Sequence, residues 1–111
     1  MKTSELTGAA LDWAVAKCEG INYVKDDVRF RGAYARKYST DWAQGGPIIE
    51  REWLDVTPWP NESEEKLRWQ CKQHDSKFDC VAFGPTPLIA AMRCYVASKL
   101  GDEVELPKEL K

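Results

Sequence analysis

The chain has 111 residues, of which 43% are hydrophobic and 31% charged, and its formal net charge is −2. This length suits one core, so we expect residues 1–111 to form a single domain. The composition is too apolar for a disordered chain, and the slightly negative charge disfavours a general nucleic-acid or membrane surface. The sequence shows no signal peptide and no membrane-spanning run, so a cytoplasmic protein is expected.

The first predicted element is a helix over residues 7–19. The Thr7 hydroxyl can cap its first turn. Leu6 can pack on Leu11 across that cap as a hydrophobic staple. Gly20 then ends the helix, because glycine readily adopts the backbone conformation that closes a helix.

Residues 21–31 alternate in polarity and predict a first hairpin. Its second half overlaps the one cation-rich run of the chain, residues 29–42. In this run four cations are interleaved with four aromatic rings: Arg29, Arg31, Arg36 and Lys37, and Phe30, Tyr34, Tyr38 and Trp42. Ser39 or Thr40 is expected to start a short helical turn at the end of the run.

Residues 42–49 are the best candidate for a binding site. Two glycines followed by Pro47 predict a bend, after which Pro47 starts a new helix that runs to about residue 53. A helix starting there would present the amides of Ile48 and Ile49 to an anion. The two glycines would let a ligand approach the backbone closely.

This segment and its neighbours predict a site for a nucleotide-like ligand. Trp42 offers a stacking face, while Arg29 and Arg31 offer counter-charge. The predicted ligand-binding residues are Arg29, Arg31, Trp42, Gln44, Gly45, Gly46, Ile48 and Ile49. The alternative is a tight structural turn in which Trp42 fills the core and the cations are solvated on an edge strand. The spacing alone favours this alternative, because two glycines and a proline are a weak motif.

Residues 54–57 predict a strand, and residues 67–83 predict the clearest hairpin of the chain. We place its turn at residues 75–76, which puts Lys72 opposite Asp79. An opposite-charge pair across two strands supports that register. One face of the hairpin is apolar and the other is mostly polar, as in a sheet that covers a core.

The four cysteines are expected to remain thiols. The same register places Cys71 opposite Cys80, and Cys71-x2-His74 with Cys80 has part of the spacing of a zinc site, but a second ligand pair is missing. Cys18 and Cys94 lie on apolar helix faces, as structural thiols do. We therefore expect no metal and no cofactor. His74 is the only histidine and has no accompanying nucleophile motif, so we expect no enzymatic activity.

The last predicted element is a helix over residues 87–100. Thr86 can cap it, Pro87 fits its first position, and Gly101 closes it. Because both long helices have one apolar stripe, we predict an α+β fold. Its two main helices pack on one face of an antiparallel sheet built from hairpins.

Three stretches together resemble the NinX-like proteins of bacteriophages: residues 1–20, residues 39–52 and residues 86–104. They cover about half of the chain. The resemblance implies a small accessory protein of temperate phages of enteric bacteria, acting in the host cytoplasm. It brings no catalytic residues to assign to this sequence.

Two hypotheses for function follow. The first is a non-catalytic binding module that captures a small nucleotide-like molecule, for instance a host defence signal. The alternative is a protein–protein interaction module that inhibits or recruits a host or phage protein. Nucleic acid is a disfavoured partner because the basic run is short, and a homo-oligomer is compatible with the sequence.

Overall fold

The computed structural model describes residues 1–20, 37–59, 67–74 and 79–106. A short 3-10 turn at Thr3–Glu5 comes first. The helices are α1 (Gly8–Cys18), α2 (Trp42–Glu52) and α3 (Pro87–Leu100), and the strands are β1 (Leu54–Pro58), β2 (Trp69–His74) and β3 (Asp79–Gly84). The first predicted hairpin, residues 21–31, lies outside the described residues. No helix in the described part of the chain is long and apolar enough to cross a membrane.

The three strands form one antiparallel sheet in the order β1-β2-β3. Helix α3 lies across all three strands, α1 packs against α3, and α2 contacts α3 and β1. The α+β class and the packing of helices on an antiparallel sheet are therefore confirmed. The strand predicted at residues 54–57 is confirmed as β1, which is one residue longer.

Helix α3 has the predicted bounds and caps. The Thr86 hydroxyl accepts a hydrogen bond from the Ile89 amide at 3.1 Å, Pro87 is the first helical residue, and Gly101 follows the last with φ of 85°. The interior differs from the predicted single stripe, because all seven residues from 90 to 96 are buried. Seven residues make about two turns, so α3 is covered on every side by the sheet and the other helices.

Helix α1 also lies where it was predicted, although its first turn is held differently. Thr7 is the N-cap, but its hydroxyl makes no capping hydrogen bond, and its carbonyl accepts from the Leu11 amide at 3.3 Å. Leu6 and Leu11 are both completely buried, as a hydrophobic staple requires. Later in the helix, the buried Asp12 accepts a hydrogen bond from the Ser39 amide at 2.8 Å, which fixes the segment that leads into α2.

The predicted register of the second hairpin is wrong by two residues. Cys71 pairs with Ala82 rather than with Cys80, and Lys72 pairs with Val81 rather than with Asp79. A shift of two residues keeps every side chain on its predicted face, so Cys71 and Ala82 are both buried. Packing beneath α3 decides the register, because burial of Cys71 and Ala82 contributes more than a single opposite-charge pair across two strands.

A polar junction joins the three helices. Arg51 of α2 donates from both terminal nitrogens to Glu19, just after α1, at 3.0 and 2.6 Å. The Tyr95 hydroxyl of α3 donates to the same carboxylate at 2.6 Å. Lys99 of α3 lies 3.5 Å from Glu52, which also accepts from Arg51. The Arg51 guanidinium, helped by the Tyr95 hydroxyl, holds the pKa of Glu19 below its usual value of 4.5.

Replacing Glu19 tests this junction. Because the pKa of Glu19 is lowered in the folded state, the stability it contributes is present above pH 4.5 and is lost as the pH falls below that value. We expect Glu19→Gln to lower the free energy of unfolding at neutral pH by roughly 1 kcal/mol, since half of the Arg51 side chain faces solvent. The difference from the wild type should then shrink in acid, as measured by urea unfolding over a pH series.

The matched control is Glu50→Gln, which removes an exposed carboxylate of α2 outside the junction. It should leave the pH dependence of stability close to that of the wild type. A difference between Glu19→Gln and the wild type that stays constant down to acid pH would contradict the assigned role of Glu19.

Candidate functional site

The segment predicted to bend at Gly45-Gly46-Pro47 is instead one continuous helix. Helix α2 begins at Trp42, and the Asp41 carboxylate caps it by accepting from the Ala43 amide at 2.9 Å. The prediction of a helix starting at Pro47 is therefore wrong. Asp41 is a strong N-cap. Pro47 inside the helix removes the bond to the carbonyl of Ala43 and crowds that carbonyl with its ring, but Ala43 is exposed, so water can pair with the carbonyl.

The amides of Ile48 and Ile49, predicted to bind an anion, are not available for it, because they do not lie at the start of a helix. Ile48 is 2% exposed and belongs to the core, and Ile49 is half-buried against it. Both amides lie inside α2, where amides bond to the preceding turn, so they are not free to bind a phosphate. The free end of the helix is already occupied by the Asp41 carboxylate, which would repel a second anion.

Gln44 and Gly45 brace the start of α2 rather than facing a ligand. The Gln44 side chain accepts from the Lys37 amide at 2.8 Å and donates to Asp41 at 3.0 Å. Gly45 is buried with its Cα directly against the Tyr38 carbonyl, and a Cβ there would also lie 2.7 Å from Leu88 Cδ1. A signal for this contact was present in the sequence, because a glycine inside a helix often marks a close backbone approach.

Trp42 and Gly46 are the predicted site residues that the structure brings together in an accessible position. Trp42 is 55% exposed, so the alternative in which it fills the core is wrong. Gly46 lies one turn later, and a Cβ at that position would be 3.9 Å from Trp42 Cε3. Arg29 and Arg31 lie outside the described residues. The outer side of the helix, called here the α2 surface, consists of Trp42, Ala43, Gly46, Pro47 and Glu50, together with Trp53 directly after the helix.

Trp53 is a surface residue that the sequence reasoning did not assign to any site. It follows the last residue of α2, has a left-handed backbone with φ of 55°, and is 84% exposed. Trp59 is 38% exposed and packs edge-on against Phe83, with 5.8 Å between ring centroids. One signal did point to this exposure: five tryptophans are more than a core of this size needs.

The thiols are poorly suited to catalysis or metal binding. Burial raises the pKa of Cys18 to about 11, and it also raises the pKa of Cys80. The Cys94 thiol donates to the Cys80 carbonyl at 3.4 Å, and contact with the neighbouring Cys71 thiol, together with burial, raises the pKa of Cys94. A protonated thiol is a weak nucleophile and a weak ligand.

All four cysteines are free thiols. Cys71 and Cys80 are not directly opposite each other, so the pairing expected for a cross-strand disulfide is not present. Within the described ranges, no three Cys, His, Asp or Glu side chains are grouped closely enough to hold a metal ion. The expected absence of a metal and of enzymatic activity stays a prediction.

The two glycines of α2 provide a matched pair of variants. In Gly45→Ala the added methyl group meets the Tyr38 carbonyl and Leu88, so we expect a loss of about 1–3 kcal/mol in the free energy of unfolding. In Gly46→Ala it meets nothing closer than Trp42, so we expect no loss and a gain of up to about 1 kcal/mol from helix propensity. Urea unfolding of the two variants measures both. Equal stabilities would refute the close approach at Gly45.

The model of the family described as Bacteriophage P22, NinX matches residues 2–99. No curated protein matches the chain. The matched range includes every described helix and strand except the last residue of α3. The resemblance seen in three stretches of the sequence is thus confirmed over most of its length, and the protein belongs to the phage P22 NinX family.

Proposed function

We propose that this protein acts by binding a protein of the host or the phage, without catalysis, in the host cytoplasm. Membership in the NinX family identifies it as a phage accessory protein, and the binding role and the compartment are inferred. The observation that carries the proposal is the exposure of Trp42 and Trp53 at the two ends of α2. Tryptophan is enriched among the residues that contribute most to protein–protein affinity.

In the free protein the two exposed rings are in contact with water, and removing them from water would stabilise a complex. A tryptophan buries 150–250 Å² of mostly apolar surface when it is covered. Covering most of one exposed ring therefore contributes about 2–3 kcal/mol. The residues between the two rings add little bulk, since Ala43, Gly46 and Pro47 have small side chains and allow a partner to approach the helix closely.

Helix α2 is held rigidly, which lowers the entropy lost on binding. Its first turn is fixed by Gln44 and by the contact of Gly45 with Leu88, and its last turn by the bidentate pair of Arg51 with Glu19. Its 11 residues separate its ends by about 16 Å along the axis. A small molecule would contact only one end, whereas a protein surface can cover both.

The test is recovery of a partner from phage-infected host cells with tagged wild-type protein and with Trp42→Ala, followed by affinity measurement on the protein recovered. We expect Trp42→Ala to weaken binding by about 2 kcal/mol, or roughly 30-fold, as for a central tryptophan anchor. Its melting temperature should change little, because more than half of the residue is exposed.

Trp59→Ala is the matched control, because it removes an exposed tryptophan that does not belong to α2. It should retain the partner. If Trp42→Ala and Trp53→Ala both bind the recovered protein as tightly as the wild type, the α2 surface is not the interface.

The second candidate function is capture of a small nucleotide-like molecule, for instance a host defence signal, by stacking on Trp42. Its support is the accessible indole ring one turn from Gly46. The Asp41 carboxylate at the helix start weighs against a phosphate at that place. With a nucleotide panel in native mass spectrometry, this function requires that Trp42→Ala lose about 1–3 kcal/mol of binding. Binding unchanged by that substitution would exclude Trp42 as the platform.

A further inference from the structure

A groove of about 280 Å³ lies between the N-terminal residues, strand β3 and helix α3, and no residue of α2 takes part in it. The residues that define its chemistry are Lys2, Ala82, Arg93, Ala97, Asp102 and Glu103. Its volume lies near the lower end of the range for ligand sites, which is roughly 300–1,000 Å³. The size therefore suits a small metabolite rather than a peptide segment or a nucleic acid.

Arg93 is the unusual residue of this groove. It is only 6% exposed, and its guanidinium donates from Nε to the Leu6 carbonyl at 2.8 Å and from Nη1 to the Phe83 carbonyl at 2.9 Å. Both acceptors are neutral. Among the residues that the structure describes, none supplies a carboxylate in an ion pair with Arg93, and none accepts from its Nη2.

A buried cation without a counter-ion is costly, and burial lowers the pKa of Arg93. An arginine stays charged in a protein, so the cost is reduced when an anion pairs with it. The two carbonyls fix the plane of the guanidinium, and the remaining N–H groups are left for a ligand in the groove. The arrangement is that of a preorganised donor.

The rest of the groove limits the chemistry of that ligand. Leu67, Ala82 and Ala97 give it an apolar wall, which suits a ring or an aliphatic chain. Asp102 and Glu103 are exposed carboxylates at its edge, and they can accept from hydroxyl or amino groups. A ligand thus needs an oxyanion at one end, an apolar body and hydrogen-bond donors at the other end.

We propose that this groove binds a small organic anion whose phosphate or carboxylate pairs with Arg93. Its body rests against Ala82 and Ala97, and its donor groups reach Asp102 and Glu103. The site rests on none of the residues of α2. Loss of binding at the α2 surface and loss of binding in the groove are therefore separate outcomes, measured with separate variants.

The experiment is an NMR titration of the isotope-labelled full chain with two probes, adenosine monophosphate and 4-hydroxyphenylacetate. Each has an oxyanion, a ring and donor groups, and they differ in whether the oxyanion is phosphate or carboxylate. We expect one of them to shift the Nε–H signal of Arg93 and the amide signals of Val81 and Ala97. The probe that does so identifies the oxyanion. If neither probe moves these signals at millimolar concentration, the proposal is wrong.

Ala97→Leu is the decisive variant, because it fills the groove without removing a hydrogen bond of Arg93. It should weaken binding of the active probe by about tenfold or more. Ala43→Leu places the same side chain on the exposed side of α2 and is the matched control, which should bind as the wild type does. Unchanged affinity in Ala97→Leu would overturn the proposal.

Two further variants distinguish a ligand site in the groove from a ligand site at Trp42. Arg93→Lys keeps the charge but loses the planar fork, so a folded Arg93→Lys protein should bind the probe several-fold more weakly. If the Arg93→Lys protein does not fold because the two carbonyl contacts are lost, the affinity of Ala97→Leu for the probe still tests the groove site. Trp42→Ala should bind the probe normally. A loss of binding in Trp42→Ala with none in Ala97→Leu would assign the ligand to Trp42 and overturn the groove site.

Discussion

Burial of α3 on every side is the constraint on which the rest of the structure depends. Among the described elements, the helix contacts the three strands, helices α1 and α2 and the N-terminal 3-10 turn, and residues 90–96 are buried without a break. To bury α3 completely, the backbone of a neighbouring strand must approach the helix closely. Gly84 at the end of β3 allows this approach, since a Cβ there would lie only 2.8 Å from the Ala90 amide nitrogen.

The same helix carries the two buried polar side chains that organise the surroundings. Arg93 and Tyr95 are two residues apart, so they point to opposite sides of α3. Tyr95 holds the Glu19–Arg51 pair and with it the C-terminal end of α2, while Arg93 holds the N-terminal segment and β3. The α2 surface and the groove are thus separate regions that depend on one helix.

The exposure of tryptophan is what distinguishes the α2 surface from an ordinary helix face. A helix that packed only for stability would bury its largest side chains, but here Ile48 is in the core and Trp42 faces solvent. Stability alone does not account for Trp53, which is almost wholly exposed on a left-handed backbone. The partner binding proposed above would cover both rings.

What the sequence determined by itself is local. The bounds of α3 follow from the Thr86 cap and Gly101, which act within one turn, and the two faces of the hairpin follow from the alternation of side chains along a strand. The resemblance to NinX-like proteins was also readable from the sequence. For the candidate site, the sequence identified the segment containing Trp42 but not its conformation.

The tertiary structure decided what depends on distant contacts. Local signals favoured a helix start at Pro47, but packing of Gly45 against Leu88, burial of Ile48 and the Asp41 cap together favour one longer helix. An opposite-charge pair suggested the hairpin register, whereas packing under α3 set it two residues away. The groove around Arg93 joins residues far apart in the chain. Such contacts are invisible to periodicity and spacing, because their energy arises only when the elements meet.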